Sequence, residues 1–296
     1  MDIETQPEPP AGWEALARER GLFYHHPRWI AGLRDVFGFR VHFVVAREAG
    51  DVVGGLPLAE VPALFGPRRL VSLPFSYAAG PMAASPDVAQ ALGAESIALA
   101  RRRRVKRVEV KQVASEGEHA APAGFTRIVH YHTYRLATAG GEGAIWKRLH
   151  ASSTQRGIRK AEKMGVTVVR GDSVRDWTEM AVLQEHTSHG HGVPAPPRRF
   201  FVELCRALQR DGLAELYLAD VPQRGIAAGI VVWRGWREWI YAFGASREAL
   251  LEFRPNHALL WAAVRAAAAA GVDFDFGRAA PEQAGLVALS KTHHRA

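Results

Sequence analysis

Only one cysteine, Cys205, occurs in the chain, so an internal disulfide is excluded and the sequence fits a reducing compartment. Cys205 lies in a helical run beside Leu204 and Leu208, the setting of buried filler, and no histidine neighbours it. No stretch reaches the roughly 18 consecutive apolar residues of a membrane-spanning helix; Arg265 interrupts the best candidate. The opening run, MDIETQPEPPAGW, is acidic and Pro-rich and lacks the basic and apolar regions of a secretion signal, which points to a cytoplasmic protein. No Ser-His-Asp or Cys-His arrangement is evident, so a covalent acyl-enzyme is not expected. A glycine-rich phosphate loop is also missing, and no segment repeats at a fixed short period.

What is there is a globular composition. Of 296 residues 48% are hydrophobic and 23% charged, enough for one large or two ordinary domains. The net charge of +8 favours anionic partners: phosphates, nucleic acid or a membrane surface. Residues 1–12 read as a disordered tail. Helices follow at Trp13–Arg20 and Pro27–Phe37, strands at Phe39–Arg47, Val52–Val61 and Arg69–Pro74, a helix at Asp87–Arg101, and strands at Arg104–Gln112 and Thr126–Leu136. A second series begins near Thr138. It has helices at Gly143–Leu149, Ser152–Met164, Val174–His186 and Pro197–Asp211, with a strand at Val166–Arg170. Strands at Ala214–Asp220, Ala227–Arg234 and Glu238–Ser246 lead to the helix His257–Ala270. The architecture is therefore doubled without a sequence repeat, and a boundary is expected at Thr138-Ala139-Gly140-Gly141. This gives domains 13–138 and 139–296 of an α+β fold.

The stretch Arg254 to Arg278 organises the second half. Arg254-Pro255-Asn256 is a helix entry with Asn256 as the expected cap, and Gly271 is the stop. Val272, Phe274 and Phe276 then alternate with Asp273 and Asp275, placing the two carboxylates on one strand face before Gly277-Arg278. At least one aspartate is expected to be buried and bonded to a backbone N–H or an arginine, with Arg278 a nearby candidate. In the helix from Ser152, Arg156 and Lys160 are four apart, as are Arg159 and Lys163, so a cationic face can meet phosphate. The run His186-Thr187-Ser188-His189-Gly190-His191-Gly192 offers imidazoles on a loop; without adjacent cysteine or a carboxylate cluster it reads as substrate contact rather than metal ligation. Arg101 to Arg107 carries six cations in seven residues at a helix C-terminus, with few aromatics to stack on bases.

Several of these motifs carry a resemblance. The helix followed by Asp273-Phe274-Asp275-Phe276-Gly277-Arg278, the run Ser153 to Lys163, the segment Gly190 to Phe201, Leu56-Pro57-Leu58 and Phe65 to Phe75 together resemble the FemAB-like acyltransferases. That family includes aminoacyl-tRNA-dependent enzymes that build peptidoglycan cross-bridges and relatives linked to exopolysaccharide systems. The resemblance implies two GNAT-like domains in tandem. It implies acyl or aminoacyl transfer to an amine of a cell-envelope precursor by direct attack in a ternary complex. It places the precursor's pyrophosphate on the basic residues Arg156, Arg159 and Lys160, sharing a cleft with the Gly190–Val193 loop, and adds His189, His191, Asn256 and Arg278 as substrate contacts. It places Lys291 beside the donor, although the family's preceding Phe is Leu289-Ser290 here and the chain stops five residues later, so an open donor site is expected.

The proton acceptor stays open among Asp273, Asp275, a loop histidine and the substrate itself. No tightly bound cofactor is expected; the donor is aminoacyl-tRNA or acyl-CoA. The absence of Gln/Arg-x-x-Gly-x-Gly/Ala, with which GNAT enzymes hold the CoA pyrophosphate, weighs against acyl-CoA. Expected partners are a phosphorylated envelope precursor, tRNA and a peripherally touched membrane, without stable DNA binding. Two alternatives remain: an acyl-CoA-dependent N-acyltransferase, and a non-catalytic nucleic-acid-binding module.

Overall fold

The structure, a computed structural model, describes residues 1–62, 68–113, 121–128 and 131–279. The chain divides into two compact units, Met1–Val129 and His130–Ala296, each built on a six-stranded mixed sheet.

Along the first unit run β1 (Asp2–Gln6), α1 (Trp13–Arg20), α2 (Pro27–Phe37), β2 (Arg40–Glu48), β3 (Asp51–Val61), β4 (Arg69–Val71), β5 (Met82–Ala83), α3 (Pro86–Arg102) and β6 (Arg107–Glu109). The sheet order is β1-β2-β3-β4-β6, with β5 on β3, and β4 and β6 are its parallel pair. Period-two alternation sends Val44, Ala46, Leu56 and Leu58 under α3, where they meet Val88, Leu92 and Leu99. Phe43 points to the other face and takes the edge of Trp13 from α1 at 4.9 Å between centroids.

The expected disordered tail is instead an edge strand. Residues 2–6 pair antiparallel with β2, and Glu4 bonds Arg47 at 2.7 Å. Acidic, Pro-rich composition argued for disorder, but opposite charges across the ladder favour pairing. Further on, Glu8 holds Arg34 through both oxygens at 2.5 and 2.7 Å. Two expected strands are also shorter than the alternation suggested. Leu73 and Phe75, with φ of 59° and 57°, end β4 early, and Arg104, at 55°, delays β6.

Beyond their paired residues β4 and β6 stay laced together. Ser72 N–H donates to the Glu109 carbonyl at 2.8 Å, and Lys111 N–H donates to Ser72 Oγ at 2.8 Å. Ala79 N–H then donates to the Lys111 carbonyl at 3.0 Å, and Lys111 Nζ donates to the carbonyls of Leu73 and Ser76.

The second unit contains β7 (His132–Leu136), α4 (Gly141–Arg148), α5 (Arg156–Lys163), β8 (Thr167–Gly171), α6 (Val174–Gly190), α7 (Arg206–Arg210), β9 (Ala214–Val221), β10 (Gly225–Arg234), β11 (Glu238–Ser246), α8 (Pro255–Ala269) and β12 (Asp273–Ala279). Single π-turns, Ala151–Gln155 and Phe200–Cys205, lead into α5 and α7. The sheet order is β7-β12-β11-β10-β9-β8, with β11 and β12 parallel and α8 between them in sequence. The strand ending at Leu136 closes this sheet by pairing with β12, and the division falls before it, between 129 and 130.

One sheet face, carrying Ile230, Val232, Trp239, Phe274 and Phe276, is covered by α8, with Ile158 of α5 and Ile145 of α4 in the same cluster. The other face takes α6: Met180 and Leu183 close over Gly229. Among the described residues no helix is long and apolar enough to cross a membrane.

Candidate functional site: a parting pair of strands and a helix N-terminus

Strands β11 and β12 pair only over Glu238↔Asp273, Trp239↔Phe274 and Ile240↔Asp275. Two local features then separate them. On β11 the register against β10 slips, so Val232 faces Tyr241 while Val231 faces Phe243; the extra residue, Ala242, bends the strand. On β12 Gly277 has φ of 71° and donates its N–H to Asp275 Oδ1 at 2.7 Å. A Cβ at 277 would lie 2.7 Å from the Tyr241 carbonyl oxygen, so only glycine fits there. The ladder pairing ends just before these two features. Tyr241 lies on the α8 face with its hydroxyl over Gly244, where any Cβ would stand 1.7 Å from it. Burial pushes the phenol up to about 12, so it is a proton donor at neutral pH.

The opposite face carries the acids. Asp275 is 2% exposed and bonded to a backbone N–H, as the alternating pattern required. That bond comes from Gly277 N–H, while Arg278 is exposed and stacks on Tyr131 at 4.9 Å. Asp273 is half-buried and accepts from Thr138 N–H at 3.2 Å, tying β12 to the start of α4. A third carboxylate, Glu238, was not anticipated. It is buried, forms an ion pair with Arg135 of β7, and leaves Oε1 without a hydrogen-bond partner among the described residues. Burial raises its pKa; Arg135 opposes the shift and Asp275 adds to it. Glu238 meets these groups only through strand register, which no local sequence pattern reveals.

At the C-terminal end of β11 the chain enters α8. Arg254, not Asn256, is the N-cap, in a left-handed conformation (φ 60°) without a side-chain cap bond. Asn256 follows Pro255 in the first turn, so the expected cap is two residues too late: proline takes the first helical position and shifts the cap to the residue before it. The uncapped first turn is electropositive, suited to an anion.

Helix α5 packs on this end of α8. The contact is closest at Gly157, where a Cβ would stand 2.3 Å from His257 Cδ2 and 2.5 Å from Nε2. Burial, and then Arg254, depress the His257 imidazole, leaving it neutral at pH 7. The ring forms the polar wall of a narrow apolar pocket with Leu149, Ile158, Leu260, Trp261 and Phe276. At 3.6 residues per turn, Arg156 and Lys160 flank Gly157 on one side of α5, and both are exposed. The structure thus brings Arg156 and Lys160 to the helix end that carries Asn256 and His257. Arg159, also exposed, lies over the Trp146 ring at 5.4 Å.

The histidine run is not a loop. Helix α6 continues through Gly190, so His186 and His189 are helical and His191 is the C-cap; all three are exposed. The helix propensity of the run outlasts its glycine signal because Ser173 and Asp176 form a capping box and Thr187 Oγ1 accepts from Ser246 N–H. Helix α6 covers the sheet face opposite α8, and Thr187 near its C-terminus bonds Ser246 at the C-terminal end of β11. Lys291 lies outside the described residues. Among those described, no group of three or more His, Cys, Asp or Glu is placed to hold a metal.

Residues 149–283, from the end of α4 through β12, match the Acetyltransferase (GNAT) domain family. FemX superposes with a TM-score of 0.71 at 14% identity, over 97% of this chain and 93% of that one. A tandem GNAT protein from the clavulanic acid biosynthesis pathway gives 0.56 at 13%, over 97% and 94%. L-PGS from Bacillus licheniformis gives 0.59 at 12%, over 96% and 80%. No curated protein sequence matches.

Proposed function

We propose that this acyltransferase, whose chain has the FemAB-like tandem GNAT fold, moves an acyl or aminoacyl group onto an amine of a phosphorylated cell-envelope precursor in the cytoplasm. The observation that carries the reading is the end of the β11–β12 pairing at Ile240 and Asp275, next to the pocket that Phe276 and His257 line at the uncapped N-terminus of α8. On this reading the activated acyl group binds where that pairing ends. The amine attacks its carbonyl carbon, the C–N bond forms, and the tetrahedral oxyanion collapses with loss of the donor's leaving group. One amine proton must be taken up. Asp275 is the better placed of the two aspartates, at the last paired position before the strands part, while Asp273 is committed to Thr138. Glu238, with its raised pKa, is positioned to share that proton. Tyr241, protonated at neutral pH, is suited to return one to the leaving group.

Arg156 and Lys160 are assigned to phosphate, Arg159, Asn256 and Arg278 to further substrate contacts, His189 and His191 to the acceptor side, and Lys291 to the donor. The GNAT domain match favours a second reading, an acyl-CoA N-acyltransferase. Transfer of labelled acyl groups to phosphorylated envelope precursors decides between them. Aminoacyl-tRNA should support amide formation. Activity with acyl-CoA alone would select the second reading, and activity with neither would dismiss both. Undiminished activity in Lys291→Ala would remove that lysine.

A further inference from the structure

The basic run after α3 has no part in the site above, and its geometry sets it apart from ordinary surface charge. Arg101 and Arg102 end the helix, Arg103 is its C-cap, and Arg104 adopts φ of 55°. Val105 turns inward, 7% exposed, with its N–H bonded to the Ala100 carbonyl at 2.8 Å. Lys106 and Arg107 then emerge at the start of β6. The parallel register sets Arg107 opposite Arg69, so Arg68 and Arg69 reach the same end of the sheet.

Eight cations therefore meet three carboxylates. Glu60 takes Arg103 at 2.7 Å and Arg68 at 3.3 Å, Glu95 takes Arg102 at 2.5 Å, and Glu109 takes Arg69 at 3.7 Å. Arg101, Arg104, Lys106 and Arg107 are exposed and have no carboxylate partner among the described residues. Attraction to the C-terminal helix dipole covers the last turn and falls off beyond it, so it accounts for Arg101 but not for Lys106 or Arg107. Solubility does not account for the grouping either. Residues 1–129 hold 16 Lys and Arg against 14 Asp and Glu, a net +2, while this cluster alone is +5.

We infer that this end of the N-terminal unit docks on the anionic headgroups of a membrane surface. No exposed aromatic interleaves the cations, so nothing offers bases a stacking platform. The one apolar residue within the run, Val105, is buried and anchors it. Long, unpaired cationic side chains on a helix end and an edge strand suit a diffuse layer of phosphates, where each Lys or Arg near the surface contributes additively. The inference is independent of the acyl-transfer reading.

The test is co-sedimentation of the full chain with vesicles of equimolar phosphatidylglycerol and phosphatidylcholine, compared with phosphatidylcholine alone. Binding should require the anionic lipid, weaken as salt is raised, and fall at least about a hundredfold when Arg101→Ser, Arg104→Asn, Lys106→Ser and Arg107→Ser are combined. Asparagine at 104 tolerates the left-handed backbone, and an unchanged melting temperature shows that the variant is folded. The pair Lys106→Ser with Arg107→Ser should give an intermediate loss. Absence of binding to anionic vesicles, or equal binding by the folded quadruple variant, would overturn the inference. So would preferential binding of a duplex RNA at equal phosphate concentration, lost in the same variant, which would assign the patch to nucleic acid.

Discussion

Gly157→Ala sets two opposed effects against each other. Alanine is the better helix former by about 0.5–1 kcal/mol in a helix interior, so on propensity alone the change stabilises α5. The added methyl, however, would sit 2.3 Å from His257 Cδ2, 2.5 Å from Nε2 and 2.8 Å from Cγ, well inside van der Waals contact. His257 cannot swing freely, because its ring is walled by Ile158, Leu260 and Phe276 and its backbone lies in the first turn of α8. Overpacking of this kind costs about 1–3 kcal/mol. The clash should win, with a net loss of about 1–2 kcal/mol and a fall of about 2–8 °C in the melting temperature of the C-terminal unit. Calorimetry or tryptophan fluorescence would read it. Adding His257→Ala removes the ring that the methyl meets, so the double variant should be more stable than the sum of the single losses by about 1 kcal/mol or more. A Gly157→Ala protein as stable as the parent, or strictly additive losses in the cycle, would refute the packing argument and with it the placement of α5 on the end of α8.

Gly277→Ala combines an unfavourable left-handed φ with a contact at 2.7 Å, and should destabilise by about 1–3 kcal/mol and abolish transfer; a fully active variant would show that the kink in β12 is dispensable. Arg156→Ala should weaken a phosphorylated acceptor by about 1–3 kcal/mol in a titration, and unchanged affinity would free that arginine from the site. Glu238 has a folded pKa above its unfolded value of 4.5, so the native state binds the extra proton and gains stability as pH falls through the raised value toward 4.5. Urea titrations should accordingly show the parent gaining on Glu238→Gln between pH 7 and pH 5; a constant difference contradicts the shift. Glu60 behaves oppositely. Burial would raise its carboxyl, but hydrogen bonds from Arg103 and His42 outweigh it and the net shift is downward. Glu60→Gln should therefore cost about 1–3 kcal/mol at pH 7, and the deficit should shrink as pH falls below 4.5, which acid unfolding curves would reveal.

The order of elements and the doubled α+β architecture were legible because they rest on local patterns. The alternation of Asp273, Phe274, Asp275 and Phe276 fixed which side chains enter the core under α8, and its cost argument for a bonded aspartate led to Asp275. What stayed hidden depends on contacts between distant segments. Glu238 looks like any strand-opening glutamate until register sets it beside Asp273 and within reach of Arg135. Gly157 reads as a weak point in a basic helix until His257, a hundred residues on, is placed against it. The edge strand Asp2–Gln6 was masked by composition, since the cross-strand partner of Glu4 lies at Arg47. Spacing put Arg156 and Lys160 on one face of α5, where both are exposed, but could not say that the histidine run is helical.

Each unit contains a parallel strand pair joined through a helix, yet the pairs end differently. Past Val71 and Glu109 the first pair is stitched by Ser72, Ala79 and the Lys111 ammonium, and the left-handed Leu73 and Phe75 keep that filling in place. Past Ile240 and Asp275 the second pair has no further ladder bonds, and Gly277 lies against the Tyr241 carbonyl instead. On the proposed reading a single donor binds per chain, saturation is hyperbolic rather than sigmoidal, and the first unit is released to evolve toward whatever the acceptor requires.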